Sequence, residues 1–467
     1  MYESGVHVHS TQQLPVSRAR LPPGPGAFWG IRDLLRVQSG ELLVLQKLFG
    51  RYGDLVMLRS PFGDRLILVF HPDDVEQVIQ LRNRLYVKGT RYGEVGRVLG
   101  NGLVNSEGAL WHQQRRKVGD LFTPRHVERL IPLIDRNVER IISGWCASTG
   151  REERDIKQDI AAIAFGVAAE AFLAMRLEEG LAARIQRSLG YVGAVAVRRA
   201  FAAWRLPMGL PLPSHRRFKH EMAAIDRTMD DIITRARQDG LAEDHFLARL
   251  IASADPDSPA ERQQLCDELK TIMLVGHETS SAAIVWSLDL LARHPHVQEE
   301  LRSDLDAVLG DGVPTRETLA KLPYLQQVVQ ECLRLRPGVP LYLRSPVADD
   351  ELRGCRIPAN TTVLISPWVT HRHPDFWPEP EVFRPERFAH FAESKAGQHP
   401  CAYFPFGYGP RRCIGEYMAL LEAQIAIAKV LQRFILQPKE GFVPQGRGYI
   451  SLQPKNGVRV RITRRAA

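Results

Sequence analysis

Cysteine is scarce in these 467 residues, and the six that occur (Cys146, Cys266, Cys332, Cys355, Cys401 and Cys413) show no C-x-x-C spacing. That scatter excludes a zinc ribbon and a disulfide framework, and it fits a reducing compartment. Long apolar runs are missing as well. The longest, Ile160 to Ala169, stops at Glu170; a membrane-spanning helix needs about 20 residues, so this run reads as a buried core helix. Met1 to Leu21 contains no apolar stretch of the signal-peptide kind, so no export is expected and the chain is placed in the cytoplasm, as a monomer. Charge of one sign is only in modest excess, with 62 Lys and Arg against 53 Asp and Glu for a net +9. No basic repeat and no zinc-finger, homeodomain or RNA-binding signature accompanies that excess, so nucleic acid is not an expected partner. Internal repeats and low-complexity linkers are also lacking. What remains is 44% apolar and 25% charged residues, the balance of an ordinary globular protein with ample material for a core.

Strand patterning is confined to the early and late chain. Leu55 to Arg59 and Leu66 to Phe70 flank the turn signal Pro61-Phe62-Gly63-Asp64, and short extended pieces recur at Thr361 to Ile365 and Val458 to Ile462. Between them the pattern is helical, which predicts a mainly α fold with a small β-rich portion. The clearest helix opens with Ser258-Pro259-Ala260-Glu261, a capping-box pattern with proline at the first helical position, and ends at Arg293 before Pro295. At 1.5 Å per residue it spans roughly 50 Å, enough to cross the molecule. Gly276 sits at its middle, in Val275-Gly276-His277-Glu278-Thr279-Ser280. A mid-helix glycine costs about 1 kcal/mol relative to alanine, and neighbouring β-branched and hydroxyl residues invite a local break in the hydrogen-bond ladder.

The most informative stretch is Phe406-Gly407-Tyr408-Gly409-Pro410-Arg411-Arg412-Cys413-Ile414-Gly415. Gly407 and Gly409 allow positive φ and close approach to a flat ligand, while Pro410 stiffens the turn. From Ile414 onward an amphipathic helix is predicted through Phe434, so Cys413 stands at a helix N-terminus, where the dipole and free N–H groups favour anionic sulfur. A bound metal would deprotonate it outright.

This decapeptide resembles the haem-binding signature of the cytochrome P-450 family, the haem-thiolate monooxygenases. The resemblance implies the family fold, with a long central helix over haem b, and Cys413 as the metal ligand. It assigns Phe406 to the sulfur side of the ring, Arg411 to a carboxylate of the ligand, and Gly415 to the loop that holds it. Val275 to Ser280 is similar to the family's oxygen-activation motif, with Val275 a departure at its first position. Gly276 would then make room for O2, the cosubstrate, and Glu278 with Thr279 would form the acid and alcohol pair that relays protons. Trp111 and Arg115 are implied on one haem propionate, and Arg344 with Arg411 on the other. Glu331-Cys332-Leu333-Arg334 and the later Arg387 resemble the family's buried Glu-Arg-Arg network, a structural element.

Pro22-Pro23-Gly24-Pro25-Gly26 resembles the proline-rich hinge that follows the membrane anchor in microsomal members, but no anchor precedes it here. Residues 1–39 are therefore expected to form an N-terminal extension without an anchor, and residues 40–467 a single catalytic domain of the soluble bacterial type. The 414–467 segment is too short for a reductase domain, so electrons from NAD(P)H are expected through a separate ferredoxin or flavodoxin and its reductase. Arg115, Arg116, Lys117, Arg411 and Arg412 would form its docking patch. The expected reaction inserts one oxygen atom into a lipophilic small molecule such as a fatty acid, terpenoid or polyketide. Alternatives are a peroxide-dependent or isomerising haem-thiolate enzyme and, in another class, a non-catalytic haem sensor or carrier. Lys88 to Asn105, Tyr191 to Pro213, Met273, and Val339 to Tyr342 are expected to line the substrate pocket, with Ala200 to Pro213 as an entrance lid and Arg91 or Arg97 as a carboxylate anchor.

Overall fold

The computed structural model describes residues 19–59, 65–146, 151–175, 179–202, 206–255, 257–448 and 451–465. The predicted turn at Pro61 to Asp64 and residues 203–205 of the predicted lid lie outside these.

The long helix is Pro259–Arg293, 35 residues, with Pro259 at its first position and Ser258 capping it by accepting from the Glu261 N–H at 3.4 Å. The expected capping box closes on one side only. The Glu261 carboxylate accepts instead from the Asp255 N–H at 2.6 Å, which secures the preceding turn rather than the cap residue. The helix also continues through Gly276 without the predicted break, and the Thr279 hydroxyl donates back to the Val275 carbonyl at 2.7 Å, occupying the oxygen one turn earlier. Helix Lys157–Leu173, which contains the apolar run, packs along the long helix and is buried on most of its circumference. An all-round apolar helix of this kind needs protein on every side.

Strands Leu55–Arg59 and Arg65–Val69 pair antiparallel, forming the predicted hairpin with its second strand one residue earlier than expected, and Leu55 lies opposite Val69. Arg65–Val69 then pairs parallel with Thr362–Ile365, which continues through Tyr342–Pro346 to Tyr86–Val87. Val56, Leu58, Leu66 and Leu68 face the main helical core, whereas Leu55, Met57, Ile67 and Val69 face a second core. Because both faces are covered, these strands read as continuous apolar runs instead of alternating ones. A second sheet joins Arg151–Asp155, Arg459–Arg464 and Phe434–Pro438.

Helix Ala27–Gln38 lies within the stretch that the sequence assigns to an N-terminal extension, and it packs on the first strand, with Leu34 and Val37 in the main core. The Pro-Gly segment before it is seated equally closely: the Met57 N–H donates to the Pro23 carbonyl at 2.7 Å, and a Cβ on Gly24 would lie 2.0 Å from the Met57 oxygen. Among the described residues no helix is long and apolar enough to cross a membrane.

Candidate active site

The cysteine loop is built as its residue types dictate. Gly407 and Gly409 take φ of +73° and +74°, and a Cβ on Gly409 would fall 2.6 Å from the Ile79 carbonyl, so glycine is required there twice over. A short turn at Gly409–Arg411 and the bond from the Cys413 N–H to the Phe406 carbonyl, 2.8 Å, fold the loop under the following helix. That helix is Glu416–Arg433 with Gly415 at its cap, two residues later than predicted. Cys413 opens onto an interior cavity while protein walls it closely, and burial is the largest influence on its thiol, pushing it above the ordinary cysteine value. The Gly415 N–H, Arg115 and Arg412 pull the other way without outweighing burial. The helix end therefore does not by itself make the thiolate expected from sequence; a bound metal has to complete that deprotonation.

Gly276 and Thr279 of the long helix line the same cavity as Cys413 and Phe406. A Cβ on Gly276 would meet nothing nearer than the Phe172 ring at 3.8 Å, so any larger side chain would project into open space. Glu278 is not brought to the cavity. Its carboxylate faces Ser451, 3.5 Å away, and the Gln453 side chain donates to its backbone carbonyl at 2.9 Å. Burial raises Glu278 to about 7, with Ser451 and Lys157 opposing. Residues 271, 272, 274, 275, 276, 279, 280 and 283 of the long helix line the cavity, and 278 does not, its carboxylate being drawn away toward Ser451. Met273, a predicted pocket residue, is fully buried and does not line the cavity. His277 is buried against Phe165 and bonded to the Met273 carbonyl, and burial lowers it to about 4, so it is a neutral packing residue.

Cations collect on another wall. Trp111, Arg115, Arg344, Arg411 and Lys88 all line the cavity. The Arg411 guanidinium lies 4.1 Å from the Trp111 ring centroid and donates to the Ser106 carbonyl at 2.9 Å and to Glu107 at 2.6 Å. Arg115 donates to the Arg412 carbonyl at 2.9 Å, tying the Trp111 helix to the cysteine loop, and Arg344 donates to the Leu343 carbonyl at 2.8 Å. From sequence, Lys88 is only the first residue of a pocket-lining loop, not an expected propionate partner. Its ammonium is buried against the Val104 and Ser106 carbonyls and drops to about 7, first through burial and then through Arg411 and Arg344, with Glu107 opposing. Lys88, Arg344 and Arg411 face one wall of the cavity with only the exposed Glu107 carboxylate beside them, a positive excess that an anionic guest would balance. Two propionates beside a ring whose metal meets Cys413 satisfy that demand, so the residues present fit haem.

The distal part of the cavity is apolar. Leu99, Leu103, Ala168, Phe172, Val197 and Ala200 contribute, as do Val339 and Leu341. The Lys88–Asn105 and Val339–Tyr342 segments thus line it as expected, whereas Phe172 and Ala168 come from the core helix and carry no sequence signal beyond hydrophobicity. Arg91 also lines the cavity and bridges the Thr362 hydroxyl at 3.0 Å and the Ala200 carbonyl at 2.8 Å. Arg97 pairs with Glu94, which is bound at 2.7 Å by Arg199 as well, joining helix Tyr92–Leu99 to helix Glu179–Phe201. Leu206 and Leu210 of the predicted lid are exposed and do not line the cavity.

Behind the cysteine loop, the Glu331–Arg334 pair is completely buried at 2.7 Å. Arg387 adds a 3.0 Å contact to the same carboxylate, and the Arg334 guanidinium also donates to the His371 and Pro380 carbonyls. The predicted three-residue network is therefore formed.

A family model described as Cytochrome P450 matches residues 22–458. Cyclooctatin synthase of Streptomyces melanosporofaciens is 33% identical over 86% of this chain and 87% of its own length. Cyclooctat-9-en-7-ol 5-monooxygenase of the same organism is 29% identical over 84% of each. Among solved structures, retinoic acid bound cyanobacterial CYP120A1 superposes with a TM-score of 0.82 at 25% identity, covering 96% of this chain and all of that one.

Proposed function

From the premise that this chain belongs to the cytochrome P450 family, we propose that it is a haem-thiolate monooxygenase that inserts one atom of O2 into a cyclic terpenoid. The observation that carries the reading is one cavity lined by Cys413 on one side and by Gly276 and Thr279 on another. Its apolar distal walls support a hydrocarbon-rich guest, and the names of the two Streptomyces relatives favour a terpenoid over a fatty acid or polyketide.

Cys413 would hold the iron, and Trp111, Arg115, Arg344, Arg411 and Lys88 would hold the propionates. Bound haem supplies the activation of dioxygen. The chain's own contribution is positional: Gly276 leaves space beside the long helix, Phe172 and Leu99 keep bulk water from the distal side, and the Thr279 hydroxyl is fixed by the Val275 carbonyl with its lone pairs free to accept. Electrons would come from NAD(P)H through a ferredoxin or flavodoxin and its reductase. Arg412, which is more than half exposed, and Arg115 and Lys117 offer a cationic approach on the Cys413 side. Arg411 is held by Glu107 and the Ser106 carbonyl instead of contributing to that patch.

The test is the reduced, carbon monoxide-bound holoprotein. A red-shifted Soret band that disappears in Cys413→His is expected; its absence from fully haem-loaded native protein overturns the reading. Substrate class is read by ligand screening through the low-spin to high-spin shift, with cyclic diterpenes expected to act at lower concentration than fatty acids.

A further inference from the structure

A second cavity, of about 580 Å³, shares no lining residue with the one at Cys413. It lies between helix Ala27–Gln38, helix Leu43–Tyr52 and the Gly24-Pro25-Gly26 segment that leads into the first of them, and its size is that of a small-molecule site. Four cations line it. Arg32 and Arg36 stand one turn apart on the first helix, and Lys47 and Arg51 one turn apart on the second, so two like-charged pairs border one cleft. Val44 and Leu48 add buried apolar surface, and the Arg51 guanidinium lies 5.3 Å from the ring centroid of Tyr52, which also borders the cleft.

The charges do not cancel. Asp33 is the one acid on the lining, and Glu41, which does not line the cleft, is held by Arg36, whose Nε donates to it at 2.9 Å. Arg36 is the first cause of a lowered Glu41 carboxyl, and Lys47 and Arg32 lower it further, so these cations act on a common region. Arg32, Lys47 and Arg51 are exposed and enter no ion pair among the described residues. Four cations against two carboxylates leave an excess of two positive charges. The backbone adds to it. Gly26 caps the first helix without a side chain to accept from the free N–H groups, and a Cβ built on Gly26 would meet nothing within 4 Å. An open, uncapped helix end presents N–H donors and the positive end of the helix dipole, an arrangement that favours phosphate.

We propose that this cleft binds a diphosphate group, with Arg32 and Arg36 on one phosphate and Lys47 and Arg51 on the other. Each phosphate then relieves the repulsion within one pair of cations, and the guanidiniums supply paired donors that match phosphate oxygens. Diphosphate esters in solution and diphosphate-bearing lipids present the same group, and the test separates them.

Inorganic pyrophosphate is titrated calorimetrically into the haem-loaded protein at physiological salt, and the same protein is sedimented with phosphatidylcholine vesicles carrying a polyprenyl diphosphate. Native protein should bind pyrophosphate saturably, one to one. Lys47→Gln combined with Arg51→Gln should weaken binding by at least about tenfold, and Asp33→Asn should tighten it. Arg125→Gln combined with Lys321→Gln removes two exposed cations elsewhere and should leave binding unchanged. Lys47 and Arg51 are both exposed, so circular dichroism should show the fold of that variant intact. Vesicle capture that is lost in the Lys47 and Arg51 variant assigns the diphosphate to a lipid; pyrophosphate binding without vesicle capture assigns it to a soluble ester. Failure of native protein to bind either probe, equal binding by the Lys47 and Arg51 variant, or an equal loss in the Arg125 and Lys321 variant overturns the proposal.

Discussion

Two groups of charge, one centred on Glu331 and one on the cavity wall beside Glu107, are built on opposite plans. Around Glu331 the carboxylate meets two guanidiniums, and Arg334 spends its remaining donors on backbone carbonyls, so the cluster is closed within the chain. Beside the exposed Glu107, by contrast, Arg411 takes the single carboxylate, and Lys88 is driven down to about 7 by burial and by Arg411 and Arg344. The first cluster is complete without a ligand and supports the fold. The second is complete only with an anion and marks a binding wall. Charge balance inside a protein therefore separates scaffold from site even when the residue types are the same.

The comparison is tested most severely at Glu331. Glu331→Ala should cost about 3–5 kcal/mol, because it leaves Arg334 buried without its partner; urea unfolding of haem-loaded protein measures it. At the other cluster the same type of change should act on the ligand instead. Arg344→Ala is expected to weaken haem retention by about 1.5–3 kcal/mol, roughly 10- to 100-fold in transfer to an acceptor globin, with little loss of apoprotein stability. Lys88 provides a pH signature. Its folded value of about 7 lies below the unfolded value, so the unfolded chain binds the extra proton between about pH 7 and 10. Apoprotein stability should then rise with pH across that window, by at most about 1.4 kcal/mol per unit, and Lys88→Met should flatten the slope. Bound haem should flatten it too. The smallest effect is expected at Arg129, whose 2.6 Å pair with Asp244 is exposed on both sides: Arg129→Ala should change stability by less than about 1 kcal/mol.

Contiguous signals are legible from sequence, and directions are not. Cys413, its two glycines and the limits of the long helix follow from local spacing, and the Glu331, Arg334 and Arg387 network from its motif resemblance. Which side chains meet the cavity needs the packing partner, and that is why sequence alone assigns Met273 and Glu278 to the site and gives Lys88 only as the first residue of a pocket-lining loop. Lys88 looks like any loop lysine until Arg344 and Arg411 arrive beside it from more than 250 residues away.

Arg199 and Glu94 clasp two helices that each contribute a wall of the cavity, through Val197 and Val95. A guest passing between those helices must first part an ion pair that is itself largely shielded from water. Arrival should therefore be slower than diffusion and little changed by added salt, and weakening the clasp with Arg199→Ala should hasten it, while the oxidation after it proceeds at an unaltered pace.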